Sequence, residues 1–199
     1  MHLLYLVQGL LKSGEFDVVV AYLRAQPNDA RSLLPDFESE GVRTVDLRMG
    51  SLLDFRVALR LQSLLRRLRP RMVHTHGLPA HLFGIPLAAL NGIPVVATVH
   101  GLERHFFRPL RRRAYRLLLA PARRLIGISE AVKQVLIRQV GIPEDKVSVV
   151  HYGLPESVDD RASPETGSWG PGVDGTPLVV SVGRVEEVKG QRYLLEAMV

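Results

Sequence analysis

The residues best placed to do chemistry are histidines, a serine and a tyrosine at the ends of short β-branched runs. Ile93–Gly101 (IPVVATVHG) begins with a proline on its second residue and closes on His100 and Gly101. Val95, Val96, Thr98 and Val99 read as a strand covered on both faces, the pattern of a parallel sheet between helices. Met72–Gly77 (MVHTHG) sets His74, Thr75 and His76 at the end of a second run, followed by Gly77. Ser129 closes RLIGIS, and His151, Tyr152 and Gly153 close VSVVHYG. Ligands of open α/β sheets sit beyond the carboxyl ends of the strands, so these ends are expected to line one cleft. Alternation along a strand puts His74 and His76 on one face and Thr75 on the other. The glycines that follow three of the strands allow a ligand to approach the backbone closely.

Other chemistries are poorly served. The chain has no cysteine, hence no disulfide, thiolate metal site or cysteine nucleophile. A zinc site made of His74, His76 and His100 lacks a carboxylate nearby in sequence, and no metal is expected. A serine-hydrolase elbow (G-x-S-x-G), a Walker A loop and a G-x-G-x-x-G turn are all absent. His74 is expected to be hydrogen-bonded within the core or one layer behind the contacts. Ser129 is most simply a helix N-cap, a role compatible with an anion at the same helix end.

These side chains need a scaffold, and the pattern supplies one. A helical apolar stripe (Leu3, Leu4, Leu6, Val7, Leu10, Leu11) precedes a buried strand at Phe16–Leu23. A short helix at Asp29–Glu40 and a strand at Val42–Leu47 follow. Asp54 caps a helix that runs to Leu68 and ends before Pro70. Then come a strand at Met72–His76, a helix at Ala80–Leu90, a strand at Ile93–His100 and a basic helix at Phe107–Leu119. Arg124–Ile128 is a strand, Ser129 opens a helix to about Val140, and Lys146–His151 is a strand. Residues 154–176 are rich in Pro, Gly, Ser and acids without periodicity, and read as a linker. A strand at Pro177–Val182, a loop at Gly183–Gly190 and a helix from Gln191 complete the chain. Strand alternating with helix predicts an α/β fold with a parallel, doubly wound, Rossmann-like sheet. Such a unit should open on a strand, whereas this chain opens on a helix and stops in one. It is expected to be a piece of a larger two-domain protein.

The hydrophobic fraction of 46% over 199 residues fits a globular domain with a sizeable core. The window between Arg71 and Glu103 holds no Asp, Glu, Lys or Arg, but its prolines and histidines break it into strand–helix–strand. No membrane span and no signal peptide are expected. The net charge of +6 is regional: Arg104 to Arg124 holds eight arginines and no acid. With Phe106, Phe107, Leu110, Tyr115 and Leu117–Leu119 interleaved, this helix could rest on anionic lipid headgroups, or simply present a solvated basic face. Stacking aromatics are not arranged as in nucleic-acid modules, and no nucleic-acid partner is expected.

Five segments together resemble a known family: HTHG (His74–Gly77), ATVHG (Ala97–Gly101), LIGISEAVK (Leu125–Lys133), VVHYG (Val149–Gly153) and VSVGRVEEVKGQRYLLEAM (Val180–Met198). In this order they look like a family-4 retaining glycosyltransferase of the GT-B fold. The most specific element is G-R-x-x-x-x-K-G at Gly183, Arg184, Lys189 and Gly190. The resemblance implies an amino-terminal acceptor-side domain at 1–153, a linker at 154–176 and the start of a donor-binding domain at 177–199. It implies a nucleotide-sugar donor whose diphosphate meets Arg184, Lys189 and the Gly183 backbone, cations set where charge develops on the leaving group. His100 would lie over the donor sugar and orient a hydroxyl, with His76, Gly77, Gly101, Ser129, Tyr152 and Gly153 lining the cleft. No metal or other cofactor is implied. Acceptors in such a family are saccharides or lipid-linked, suggesting a cytoplasmic protein, peripheral on the inner face of the membrane.

The departures from the family pattern also carry expectations. The opening strand and glycine-rich turn are absent before His2, which would leave neighbouring strands unpaired and the core open. The paired-glutamate motif of the donor domain would lie beyond Val199. Tyr152 stands where asparagine is common, and Pro155 where aspartate is. The 199-residue chain alone is therefore expected to transfer no sugar. The alternative is a non-catalytic fold relic or interaction protein.

Overall fold

β-branched runs separated by amphipathic stretches favour parallel pairing, because each crossover helix returns the chain to the same end of the sheet. The computed structural model describes residues 2–23, 33–51, 54–101, 108–153, 179, 181–183 and 190–198. The helices are α1 (His2–Lys12), α2 (Leu34–Ser39), α3 (Phe55–Leu68), α4 (Leu78–Leu90), α5 (Pro109–Leu119), α6 (Glu130–Gln134) and α7 (Gln191–Ala197). The strands are β1 (Val19–Tyr22), β2 (Arg43–Asp46), β3 (Val73–His76), β4 (Val95–Val99), β5 (Arg124–Gly127) and β6 (Val147–Val149). Two compact units result, Met1–Pro155 and Glu156–Val199. The six strands lie in the first; α7 belongs to the second.

All described pairings are parallel. β3, β4, β5 and β6 form one sheet in that order, and β1 pairs with β2 in another. This is the Rossmann-like α/β arrangement expected from the sequence. Val95, Ala97, Val99 and Leu125 bury against Ile85 and Ala88 of α4, Leu119 of α5 and Leu136. Val57, Leu61, Leu64 and Leu65 of α3 join the same core, and Leu4 and Val7 of α1 bury with Phe37 and Val42 in a smaller one. Burying a Leu or Ile side chain contributes about 1.5–3 kcal/mol, so the four-stranded sheet and its helices hold most of the stability.

The local signals explain most boundaries. Asp54 caps α3 by accepting from Arg56 N–H at 3.1 Å, as its position predicted. α4 starts at Leu78 rather than Ala80, because Pro79 in the first turn has no N–H to leave unsatisfied. The helix opened by Ser129 becomes π-helical over Val135–Val140 and stops at Gly141, whose φ is +82°. The strand expected at Phe16–Leu23 is shorter and less covered: only Val19–Tyr22 pairs, and Phe16 is 47% exposed. Its cause is visible beside it. No ladder joins β1 to β3 among the described residues, and an apolar cavity of about 680 Å³ separates them. Val20 of β1, Val73 of β3, Val7 of α1 and Phe37 of α2 are among its walls. Of the helix expected at Asp29–Glu40, only Leu34–Ser39 forms within the described residues. The expected strand at Pro177–Val182 and the linker lie largely outside them.

Candidate functional site

Strand register decides which side chains can meet. Residue 76 of β3 pairs with residue 98 of β4, and 98 with 126 of β5. Side chains alternate, so His74, His76, Thr98 and Ile126 share one face. Two residues beyond Thr98, His100 returns to that face at the carboxyl end of β4. Thr75 points the other way, into the core, where its Oγ1 lies 2.9 Å from Nδ1 of buried His81 on α4. α1 opens with His2 over the strand ends, and Tyr152 follows β6.

The result is a cluster of rings. His76 lies 4.2 Å from His74, 5.6 Å from His100 and 5.8 Å from His2, between ring centroids. His2 is 4.8 Å from His100 and stacks on Tyr152 at 4.1 Å, with 17° between the planes. His74 Nε2 is 2.8 Å from Thr98 Oγ1, and the Tyr152 hydroxyl is hydrogen-bonded to His100 Nδ1. A cavity of about 430 Å³ opens here, lined by His2, Tyr5, His74, His76, Thr98 and Tyr152 among others. Three buried nitrogens, His2 Nε2 and both of His76, find no hydrogen-bond partner among the described residues.

Burial governs the electrostatics. It pushes the His76 pKa down to about 3 and that of His74 to about 4, with the neighbouring imidazoles adding repulsion. His100 is lowered by burial, and His2 by burial and then by His100. Burial raises Tyr152. The cluster is therefore neutral near pH 7. Neutral imidazoles can donate or accept, the pattern that sugar hydroxyls require. None of the clustered rings carries a positive charge for a diphosphate, although Lys12 of α1 stands on the cavity wall.

Several expected residues meet here and several do not. His76, His100 and Tyr152 form the cluster, and Gly153 lines the same cavity. His74 is hydrogen-bonded to Thr98 as expected, yet it also lines the cavity beside His76. Gly77 ends β3 with φ of +80°, where a side chain would be strained. Gly77, Gly101 and Ser129 end the neighbouring strands but do not line the cavity, and neither does His100, which meets the cluster through His2, His76 and Tyr152. Ser129 caps its helix, accepting from Val132 N–H at 3.3 Å. Gly183 is exposed in the second unit, while Arg184 and Lys189 lie outside the described residues. His2 has no sequence signal beyond its type, because only the folding of α1 over the sheet brings it in.

Comparison with known proteins bears on this geometry. A family model described as Glycosyltransferase Family 4 matches residues 1–157. The UDP-Gal:alpha-D-GlcNAc-diphosphoundecaprenol alpha-1,3-galactosyltransferase of Escherichia coli is 26% identical over 159 residues, covering 73% of this chain. Among solved structures, a glycosyltransferase from Rickettsia africae ESF-5 superposes with a TM-score of 0.58 at 16% identity, over 79% of this chain and 43% of that one. Anabaena Alr3699/HepE in complex with UDP and glucose gives 0.54 at 12%, over 68% and 44%. The UDP-GlcNAc 2-epimerase from Methanocaldococcus jannaschii gives 0.51 at 20%, over 72% and 40%. These structures share the fold, which evidently hosts more than one reaction. The chain spans 39% of the length of the E. coli relative. With the family model covering most of its length, the chain belongs to Glycosyltransferase Family 4, in the GT-B class that the ordered strand-end motifs pointed to.

Proposed function

We propose that this chain is the acceptor-side domain, with the beginning of the donor-side domain, of an enzyme that transfers a sugar from a nucleotide diphosphate donor with retention of configuration. The observation that supports this is the neutral cluster of His76, His100 and Tyr152 at the ends of parallel strands, in which His76 and Tyr152 line a cavity of about 430 Å³ and His100 stands beside them. Such groups can hold sugar hydroxyls; they cannot neutralise a diphosphate. That task falls to Arg184 and Lys189, with the backbone at Gly183, and needs no metal. His100 touches and orients the donor sugar, and Tyr152 fixes the imidazole through Nδ1 so that Nε2 faces the substrate. As the bond to the leaving diphosphate breaks, cations at Arg184 and Lys189 lower the barrier by stabilising the charge that develops.

The names of the relatives suggest a uridine-diphosphate donor and a polyprenyl-diphosphate-linked saccharide acceptor. An acceptor of that kind calls for a protein that works at the cytoplasmic face of a membrane. α5 suits such a surface. Tyr115 and Leu119 are buried, while Leu110 (80%) and Leu117 (74%) stand exposed among Arg111, Arg112, Arg113 and Arg116. No described helix is long and apolar enough to cross a membrane. Co-sedimentation with vesicles should increase with anionic lipid, fall with salt, and be lost in Leu110→Ser/Leu117→Ser; binding indifferent to all three removes the membrane assignment.

Calorimetry with UDP and UDP-sugars on the full-length protein tests the donor assignment. Binding in the wild type, weakened at least about tenfold by Arg184→Ala, supports it. The absence of any nucleotide-sugar affinity favours a non-catalytic interaction protein instead. The 199 residues alone should show no turnover, since a donor site needs more of the second unit than residues 156–199.

A further inference from the structure

Three of the histidines converge more closely than sugar binding requires. His2, His76 and His100 each present a ring nitrogen, and the three atoms lie within 4.8 Å of one another. Both nitrogens of His76 and Nε2 of His2 are buried without a hydrogen-bond partner among the described residues. Buried polar atoms are nearly always satisfied, and an ion or water is the usual explanation where protein partners are missing. We propose that His2, His76 and His100 form a site for one divalent transition-metal ion of the zinc type, with its remaining position open to the cavity. His100 Nε2 serves either the ion or a sugar hydroxyl, so the two occupancies exclude one another and the ion takes no step in glycosyl transfer.

The donor chemistry selects the class of ion. Three imidazoles and no carboxylate suit zinc, cobalt, nickel or copper, and serve calcium or magnesium badly. Tetrahedral zinc with bonds of about 2.0–2.1 Å sets its nitrogen ligands roughly 3.4 Å apart. Rotation of the rings closes the difference, aided by His2 standing at the first residue of α1, where the chain is least constrained. On His100, Nδ1 is engaged by Tyr152, so Nε2 is the atom left for the ion. A hydrogen bond on the far nitrogen is the usual support of a metal-bound imidazole, holding its tautomer and orientation. Three protein ligands with an open position resemble reactive zinc sites more than closed structural ones.

The test is a titration of the untagged, chelator-stripped chain with zinc and, separately, magnesium. The expected result is one zinc per chain and no magnesium, with zinc affinity reduced at least about tenfold by His2→Gln and by His76→Gln. Because His2 is no part of the apolar core, loss in His2→Gln with unchanged far-ultraviolet circular dichroism reports ligation rather than unfolding. Cobalt loaded in place of zinc should give the intense visible absorption of a tetrahedral site, absent in His2→Gln. Failure of the wild type to bind zinc overturns the proposal. So does binding that survives both substitutions together.

Discussion

His81 shows how a single side chain sets both packing and pH response. It is 1% exposed, and its Nδ1 lies 2.9 Å from Thr75 Oγ1 on the strand that also carries His76. Burial lowers its pKa from 6.5 to about 4. The unfolded chain therefore binds a proton between those values that the folded chain refuses. Stability contributed by neutral His81 is complete above about pH 6.5 and is lost as pH falls toward 4. Between pH 7 and pH 5 the loss from this residue is roughly 2 kcal/mol, and His74 and His76 add to it in the same direction. Urea midpoints at the two pH values should differ accordingly, and His81→Leu should shrink the difference; equal midpoints in the wild type contradict the assignment. The residues at strand ends were legible in sequence because alternation and the carboxyl-end rule locate them without knowledge of packing. His2 was not, since nothing near it in the chain says that α1 lies over β3 and β4. The pairing of Tyr152 with His100 was half legible: both were placed at strand ends, but contact depends on where the chain goes after β6.

At the scale of elements, α4 against β3 is the contact on which the site's geometry depends. A Cβ placed on Gly84 would come within 2.6 Å of Thr75 Cγ2. Thr75 is buried and tied to His81, so it cannot swing aside cheaply. Gly84→Ala should therefore destabilise by about 1–3 kcal/mol, visible as a lower urea midpoint with an unchanged slope. A midpoint equal to wild type would show that α4 and β3 can part without cost. The sequence marked the helix ends well where a cap or a proline acts locally, as at Asp54, Pro79 and Ser129. It did not mark the π-helical Val135–Val140, in which Leu136 and Val140 are buried. Strand lengths were overread for a related reason: β-branched runs continue past the last residue that has a pairing partner.

For the whole molecule, the division of the first unit into two sheets is the feature with the widest consequence. β1 and β3 stand on either side of an apolar cavity of about 680 Å³, with no ladder between them among the described residues. The parallel order of β3 to β6 nevertheless holds, which is why the histidine cluster assembles at all. The fold class was legible from the alternation of elements, while the break between the two sheets was not, since strand pairing depends on spatial neighbours rather than on composition. The donor side was legible as a motif alone, because Arg184 and Lys189 lie outside the described residues.

The central claim is that His100 contacts and orients a donor sugar at the strand ends. Its most direct measurement is the steady-state turnover of a UDP-sugar by the full-length protein and by His100→Ala. In His100→Ala, kcat should fall by roughly 10²-fold or more while the donor KM changes little, with Tyr152→Phe intermediate. A His100→Ala enzyme whose kcat stays within about threefold of wild type would contradict the claim.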